Sequence, residues 1–81
     1  MKTEKISIMI RRISEMLVDK PDAIRLSEET RDNTTILVLS VDKADVGKVI
    51  GKQGRTANAI RTVLAAASGK TQERYMIEIV D

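Results

Sequence analysis

Residues 49–56 read VIGKQGRT, and this stretch guides the interpretation of the whole sequence. Gly51 and Gly54 predict a sharp turn between two short helical patterns. The turn lies in the only long segment without acidic residues, since residues 46–72 carry five basic side chains and no Asp or Glu. The remainder of the chain holds nine basic and twelve acidic residues. A basic segment beside a turn rich in backbone N–H groups favours a surface that meets phosphates.

The composition restricts the functional classes. The chain has 81 residues, 42% apolar and 32% charged, which predicts one compact domain over residues 1–81. It contains no cysteine and no histidine, so disulfides, thiolate metal sites and the usual general base are excluded. We therefore predict a protein that is not an enzyme, with no cofactor, metal or small-molecule substrate. Neither a signal peptide nor a membrane span of ~20 apolar residues is recognisable, so we expect a cytoplasmic location away from membranes.

Apolar periodicity predicts the order αββααβ. The helical patterns cover residues 3–18, 42–50 and 55–68, and the strand patterns cover residues 23–28, 34–41 and 74–80. Turn residues join the first two strands, which predicts a β-hairpin, and the second strand is apolar enough on both faces to be central. We therefore predict an α+β fold, with a three-stranded sheet and helices packed on one face.

The same patterns predict which side chains are buried. The predicted core residues are Ile6, Met9, Ile10, Ile13, Met16 and Leu17 in the first helix, Ile60, Val63, Leu64 and Ala67 in the last helix, and Tyr75, Ile77 and Ile79 in the last strand. Gly69 is predicted to end the last helix. Asp42 or Asp45 is predicted to cap the short helix before the turn.

Other phosphate-binding and DNA-binding motifs contain comparable turns. A P-loop needs two glycines five positions apart, followed by Lys and then Ser or Thr. Here Gly47 and Gly51 are four positions apart and Gln53 stands at the hydroxyl position, so that motif is excluded. No G-x-G-x-x-G sequence is present, which excludes a dinucleotide fingerprint. A helix-turn-helix DNA reader stays open, although the second helix offers few base-reading side chains.

A third motif matches more of the chain. Residues 49–54 resemble the V-I-G-x-x-G signature of KH domains, and the αββααβ order resembles the type II KH fold. Residues 21–23, 45–56 and 59–62 resemble the small bacterial stand-alone KH proteins of the KhpA type, so the resemblance covers essentially the whole chain. It implies binding of single-stranded RNA through the backbone, with low sequence specificity, by a post-transcriptional regulator or RNA chaperone. Ala57 departs from the family pattern, where a larger aliphatic residue is common.

The residues that would carry this function lie in and beside the turn. Lys52 is the strongest candidate because packing at the loop tip gives it no other role. The backbone N–H groups of Gln53, Gly54 and Arg55 are predicted to meet phosphate at a helix start. The predicted RNA contacts are Lys48, Gly51, Lys52, Gln53, Gly54, Arg55 and Thr56. The resemblance implies an apolar groove for bases, with a floor of Val46, Val49 and Ile50.

The last helix also predicts a partner. One side of it carries mostly small residues, which would let another helix come close: Ala59, Thr62, Val63 and Ala66. The resemblance implies KH–KH dimers, either a homodimer or a heterodimer with a larger Jag-type protein. A second hypothesis is therefore a pure protein-interaction module in which the loop is dispensable.

Overall fold

The computed structural model describes residues 2–71 and 73–81. It contains six helices and strands in these residues, in the predicted order αββααβ. Their bounds are α1 Lys2–Leu17, β1 Arg25–Arg31, β2 Thr34–Ser40, α2 Val46–Ile50, α3 Arg55–Thr71 and β3 Arg74–Val80. Single 3₁₀ turns lie at Pro21–Ala23, Lys43–Asp45 and Lys52–Gly54. The predicted α+β class and element order are confirmed.

The sheet has the order β1-β2-β3, with β2 in the centre as predicted. β1 and β2 are antiparallel, and β2 and β3 are parallel. The hairpin turn consists of Asp32 and Asn33, whose φ angles of 49° and 65° are both left-handed. A two-residue turn of this kind matches the right-handed twist of the strands, and Asp and Asn tolerate it.

The core lies between the three helices and one face of the sheet. Along β2, burial alternates, with Thr35, Leu37 and Leu39 buried and their neighbours half-buried. The predicted face of β3 packs on the same side, since Tyr75 and Ile77 are buried. The prediction that the helices pack on one face of the sheet is therefore confirmed. No helix of the described residues covers the other face, where side chains such as Met76 are exposed.

Two predicted core positions are wrong. Met16 is 84% exposed, and Ser14 occupies the buried position on α1 instead. Ser14 can be buried because its hydroxyl donates to the Ile10 carbonyl at 2.8 Å. Val63 is 45% exposed, and Ala57 is buried on the inner side of α3. The small side chain of Ala57 thus packs inside the core.

The predicted end of α3 at Gly69 is also wrong, because the helix continues to Thr71. Gly69 does not adopt the left-handed conformation that a glycine cap requires. Ser68 holds this last part of α3 against the sheet: its hydroxyl donates to the Leu64 carbonyl at 2.9 Å and accepts from the Tyr75 N–H at 3.0 Å.

Candidate functional site

The two-glycine turn connects α2 directly to α3 and bends the chain at Gly51. The Gly51 N–H donates to the Gly47 carbonyl at 2.9 Å, and its φ of 81° then turns the backbone away from α2. A β-carbon on Gly51 would lie 2.3 Å from Thr56 Oγ1 and 2.9 Å from the Thr56 nitrogen. Only glycine fits there, and Thr56 lies against the turn as the second residue of α3.

At Gly54 the backbone conformation favours glycine, and the space around it does not. Its φ is 74°, whereas the nearest atom to a β-carbon there would be Asn58 Nδ2 at 3.9 Å. Gln53 is also left-handed, with φ 58° and ψ 26°. This conformation is uncommon for residues other than Gly, Asn and Asp.

The predicted set of backbone donors needs a correction. The Gly54 N–H donates to the Gly51 carbonyl at 3.0 Å, and the Arg55 N–H donates to the Lys52 carbonyl. These bonds form because residues 52–54 make a tight 3₁₀ turn, which uses the N–H groups that a plain loop would leave free. Among the described residues, no backbone carbonyl accepts from the N–H groups of Lys52 and Gln53. The free donors are therefore the N–H groups of Lys52 and Gln53 at the loop tip. Of the three predicted donors, Gln53 is free, whereas Gly54 and Arg55 are not.

The charges around the tip are basic and unpaired. Lys52 and Arg55 are exposed, and in residues 2–71 and 73–81 neither forms an ion pair with a carboxylate. The Arg55 guanidinium donates to Gln53 Oε1 at 3.2 Å, which places it beside the tip. An anion at the tip would therefore meet two backbone N–H groups and two cations without displacing a carboxylate.

Lys48 has a different environment from Lys52. Its ammonium donates to the Asp19 carboxylate and, at 3.3 Å, to Asp45 Oδ1. The hydrogen bond to Asp19 contributes most and the bond to Asp45 adds to it, so the pKa of Lys48 lies above its ordinary value of 10.5. RNA contact by Lys48 stays a prediction. The Lys48 ammonium already forms ion pairs with the carboxylates of Asp19 and Asp45.

Asp45 stands at the N-cap position of α2, but its side chain makes no capping hydrogen bond there. Asp42 caps the preceding 3₁₀ turn, Lys43–Asp45, by accepting from the Ala44 N–H at 2.9 Å. Instead, buried Asp45 accepts from the backbone N–H groups of Asp19 at 3.2 Å and Lys20 at 3.0 Å. Burial raises the pKa of Asp45, but these N–H groups and the Lys48 ammonium outweigh burial, so the pKa lies below its ordinary value of 3.8. The ionised carboxylate thus ties the segment after α1 to the helix that leads into the loop.

The predicted groove floor has three different environments. Val49 is completely buried, Val46 is half-buried against the core, and Ile50 is 38% exposed directly before the loop. Ile50 is therefore the floor residue that a ligand can reach best, whereas Val49 belongs to the core.

Two further sets of exposed residues lie on different sides of α3. Ala59, Thr62, Val63 and Ala66 are all exposed and share one side, because their spacing is that of neighbours on a helix. Asn58 and Arg61 occupy another side, where Arg61 Nη1 donates to Asn58 Oδ1 at 3.2 Å. Asn58 also lies beside Gly54, because it follows Gly54 by four residues, about one helical turn.

Comparison with known proteins now identifies the family. Residues 8–79 match the family model described as KhpA/KhpB, KH domain. The chain belongs to this KH-domain family. It is 49% identical over 72 residues to the RNA-binding protein KhpA of Clostridium acetobutylicum, covering 89% of this chain and 96% of that protein. It is 47% identical over 81 residues to the RNA-binding protein KhpA of Bacillus subtilis, covering all of both chains.

Membership in the KH family confirms both the resemblance and the type II architecture predicted with it. The match extends from Ile8 to Ile79 and so includes β1, β2, the two-glycine loop and β3 up to its last residue but one. No solved structure matches the chain significantly. Among the helices of the described residues, none is long and apolar enough to cross a membrane.

Proposed function

We propose that this chain folds as a single KH domain that binds single-stranded RNA, with the RNA backbone held at the loop tip. The observation that carries the proposal is the combination of free N–H groups at Lys52 and Gln53 with the unpaired charges of Lys52 and Arg55. The relatives named above are RNA-binding proteins, which supports the same ligand. Binding without catalysis agrees with a sequence that has no histidine or cysteine.

The proposed mechanism uses the loop for phosphates and the groove for bases. The glycines keep side chains away from the backbone, so that a phosphate can approach the N–H groups of the tip. Lys52 and Arg55 then add full charges, and Ile50 offers an apolar contact to a neighbouring base. Contacts of this kind position RNA without reading most of its sequence. This mode would suit a cytoplasmic post-transcriptional regulator or RNA chaperone.

The salt dependence of binding tests this proposal. If about three phosphates are neutralised, log K should fall against log salt with a slope near −2 for single strands. Affinity for a short single-stranded RNA should therefore drop roughly 15–20-fold between 50 and 200 mM salt. Fluorescence anisotropy with the same RNA in single-stranded and duplex form measures both slope and preference. Absence of binding to single-stranded RNA at 50 mM salt would refute the proposal, and stronger binding to duplex DNA would favour the helix-turn-helix alternative.

A second proposal concerns the exposed side of α3. We propose that Ala59, Thr62, Val63 and Ala66 form a contact with a second KH domain, from another copy or from a Jag-type protein. This side differs from the one that carries Asn58 and Arg61, so a dimer would leave that side free. Two linked grooves would raise the affinity for one RNA through effective concentration. Sedimentation that shows only monomer at high protein concentration would count against the homodimer.

A further inference from the structure

A cluster of three charged side chains lies beside the loop, on the side of α2. Lys48 is its centre and lies one helical turn before Gly51, about 4.5 Å along the axis. The Lys48 ammonium forms ion pairs with the carboxylates of Asp19 and Asp45. Asp45 is buried, whereas the Asp19 side chain is 76% exposed and the Lys48 side chain is 44% exposed. The Lys48–Asp19 pair therefore faces the solvent from which RNA would approach.

The fold brings the Asp19 carboxylate to this position. Asp19 follows α1 and lies 29 positions from Lys48 in the sequence. The Asp19 N–H donates to Asp45 Oδ1 at 3.2 Å, so the backbone of Asp19 is fixed beside the start of α2. Residues 46–72 contain no acidic residue, yet this contact places a carboxylate at their edge. The basic surface is therefore shorter in the fold than the sequence indicates.

Lys48 differs in this respect from the cations at the loop tip. In the described ranges 2–71 and 73–81, no carboxylate forms an ion pair with Lys52 or Arg55. A phosphate that approaches Lys48 meets the negative charge of Asp19, and the two anions repel each other. Because an exposed ion pair is weak, we expect Asp19 to lower the affinity for RNA by a factor of a few rather than to prevent binding.

We propose that Asp19 sets the boundary of the RNA site by holding Lys48 in an internal ion pair, which confines the phosphate contacts to the loop tip. The inference rests on the proposed function. An ammonium has three N–H donors, and Asp45 is the partner that Lys48 keeps when Asp19 loses its charge. The donors of Lys48 that become free can then bind one further phosphate. Asp19 thus limits both the affinity for RNA and the number of phosphates that the protein neutralises.

The Asp19→Asn variant tests this inference with hexauridine, by fluorescence anisotropy at 50 and 200 mM salt. Asn is close to Asp in size, and the hydrogen bond to Asp45 uses the backbone N–H of residue 19, so the fold should be kept. One further phosphate makes the slope of log K against log salt steeper by about 0.7 for a single strand. We expect an affinity about 4-fold above that of native protein at 50 mM salt, falling to about 1.5-fold above it at 200 mM.

The matched control is Asp32→Asn, which removes one carboxylate from the exposed hairpin turn. Asn tolerates the left-handed φ of 49° at this position. This variant should change the affinity by less than about 1.5-fold and leave the salt slope as in native protein.

A double-variant cycle shows whether Lys48 is the group that Asp19 holds. Lys48→Gln keeps an N–H donor for Asp45 but has no charge. Asp19→Asn should therefore give no gain in affinity when it is made in a chain that already carries Lys48→Gln.

The outcomes separate the two proposals. The boundary role of Asp19 is overturned if Asp19→Asn gains no more affinity than Asp32→Asn, if its salt slope stays native, or if the gain persists with Lys48→Gln. Should Lys48→Gln not fold, the slopes of Asp19→Asn and Asp32→Asn still decide. If the boundary role is overturned while native protein binds hexauridine, the proposed RNA-binding function stands. If native protein does not bind hexauridine at 50 mM salt, the proposed function fails and this inference fails with it.

Discussion

The Lys52→Asp/Gln53→Asp double variant is expected to lose at least about 50-fold in affinity for single-stranded RNA. The variant replaces one cation by an anion and adds a second anion at the tip, so the two free N–H groups then lie beside negative charges. Loss of phosphate contacts alone weakens binding substantially, and repulsion of the RNA backbone adds to this loss. Fluorescence anisotropy on a short single-stranded RNA measures the effect.

The fold of this variant should remain intact. Both positions are exposed, the glycines are unchanged, and Asp tolerates the left-handed conformation that residue 53 adopts. Circular dichroism checks this. The matched control is Lys5→Asp/Ser27→Asp, which makes the same charge change at exposed positions outside the acid-free segment. If the loop variant binds RNA as well as native protein does, the loop is not the RNA site. That result would support the hypothesis of a protein-interaction module in which the loop is dispensable.

The parts of the fold that the sequence predicts are those set by local pattern. The apolar run in residues 34–41 predicts the central strand, because it is apolar on both faces. The positions of the two glycines predict the turn because few other residues adopt its dihedral angles. Lys52 is predicted to be exposed because it lies at the tip of this turn, and no acidic residue is near it in the sequence.

The parts that the sequence does not predict are set by hydrogen bonds that the residue pattern does not reveal, and only some of these join partners far along the chain. Asp45 looks like a cap in sequence, but its hydrogen-bond donors at Asp19 and Lys20 lie 26 and 25 residues away. Ser14 looks polar and exposed, yet it is buried because the Ile10 carbonyl accepts from it. The free N–H groups of the loop are not predicted either, because the 3₁₀ turn engages the N–H groups of Gly54 and Arg55 in local hydrogen bonds that the glycine spacing does not specify. Local pattern therefore places the site, and the hydrogen bonds formed in the fold decide which of its atoms are available.

Gly51→Ala is expected to cause the largest loss of stability among glycine substitutions in this chain. Gly51 has φ 81° and ψ 168°, a conformation that is essentially restricted to glycine and costs a residue with a β-carbon about 1–3 kcal/mol. The β-carbon would also lie 2.3 Å from Thr56 Oγ1 and 2.9 Å from the Thr56 backbone nitrogen. Rotating the Thr56 side chain relieves the first contact but not the second, so the start of α3 must shift. We expect a total loss of about 3–4 kcal/mol, or roughly 15–25 °C in melting temperature.

Gly54→Ala supplies the matched control, because the two glycines share the left-handed φ but differ in available space. At Gly54 the nearest atom to a β-carbon is 3.9 Å away, so only the conformational cost of about 1–2 kcal/mol should appear. Urea unfolding of both variants gives the difference directly. A clearly larger loss for Gly51→Ala means that contact with Thr56 makes glycine obligatory before the loop. Equal losses would show that φ alone demands glycine at both positions, and that the turn can move away from α3 at little cost.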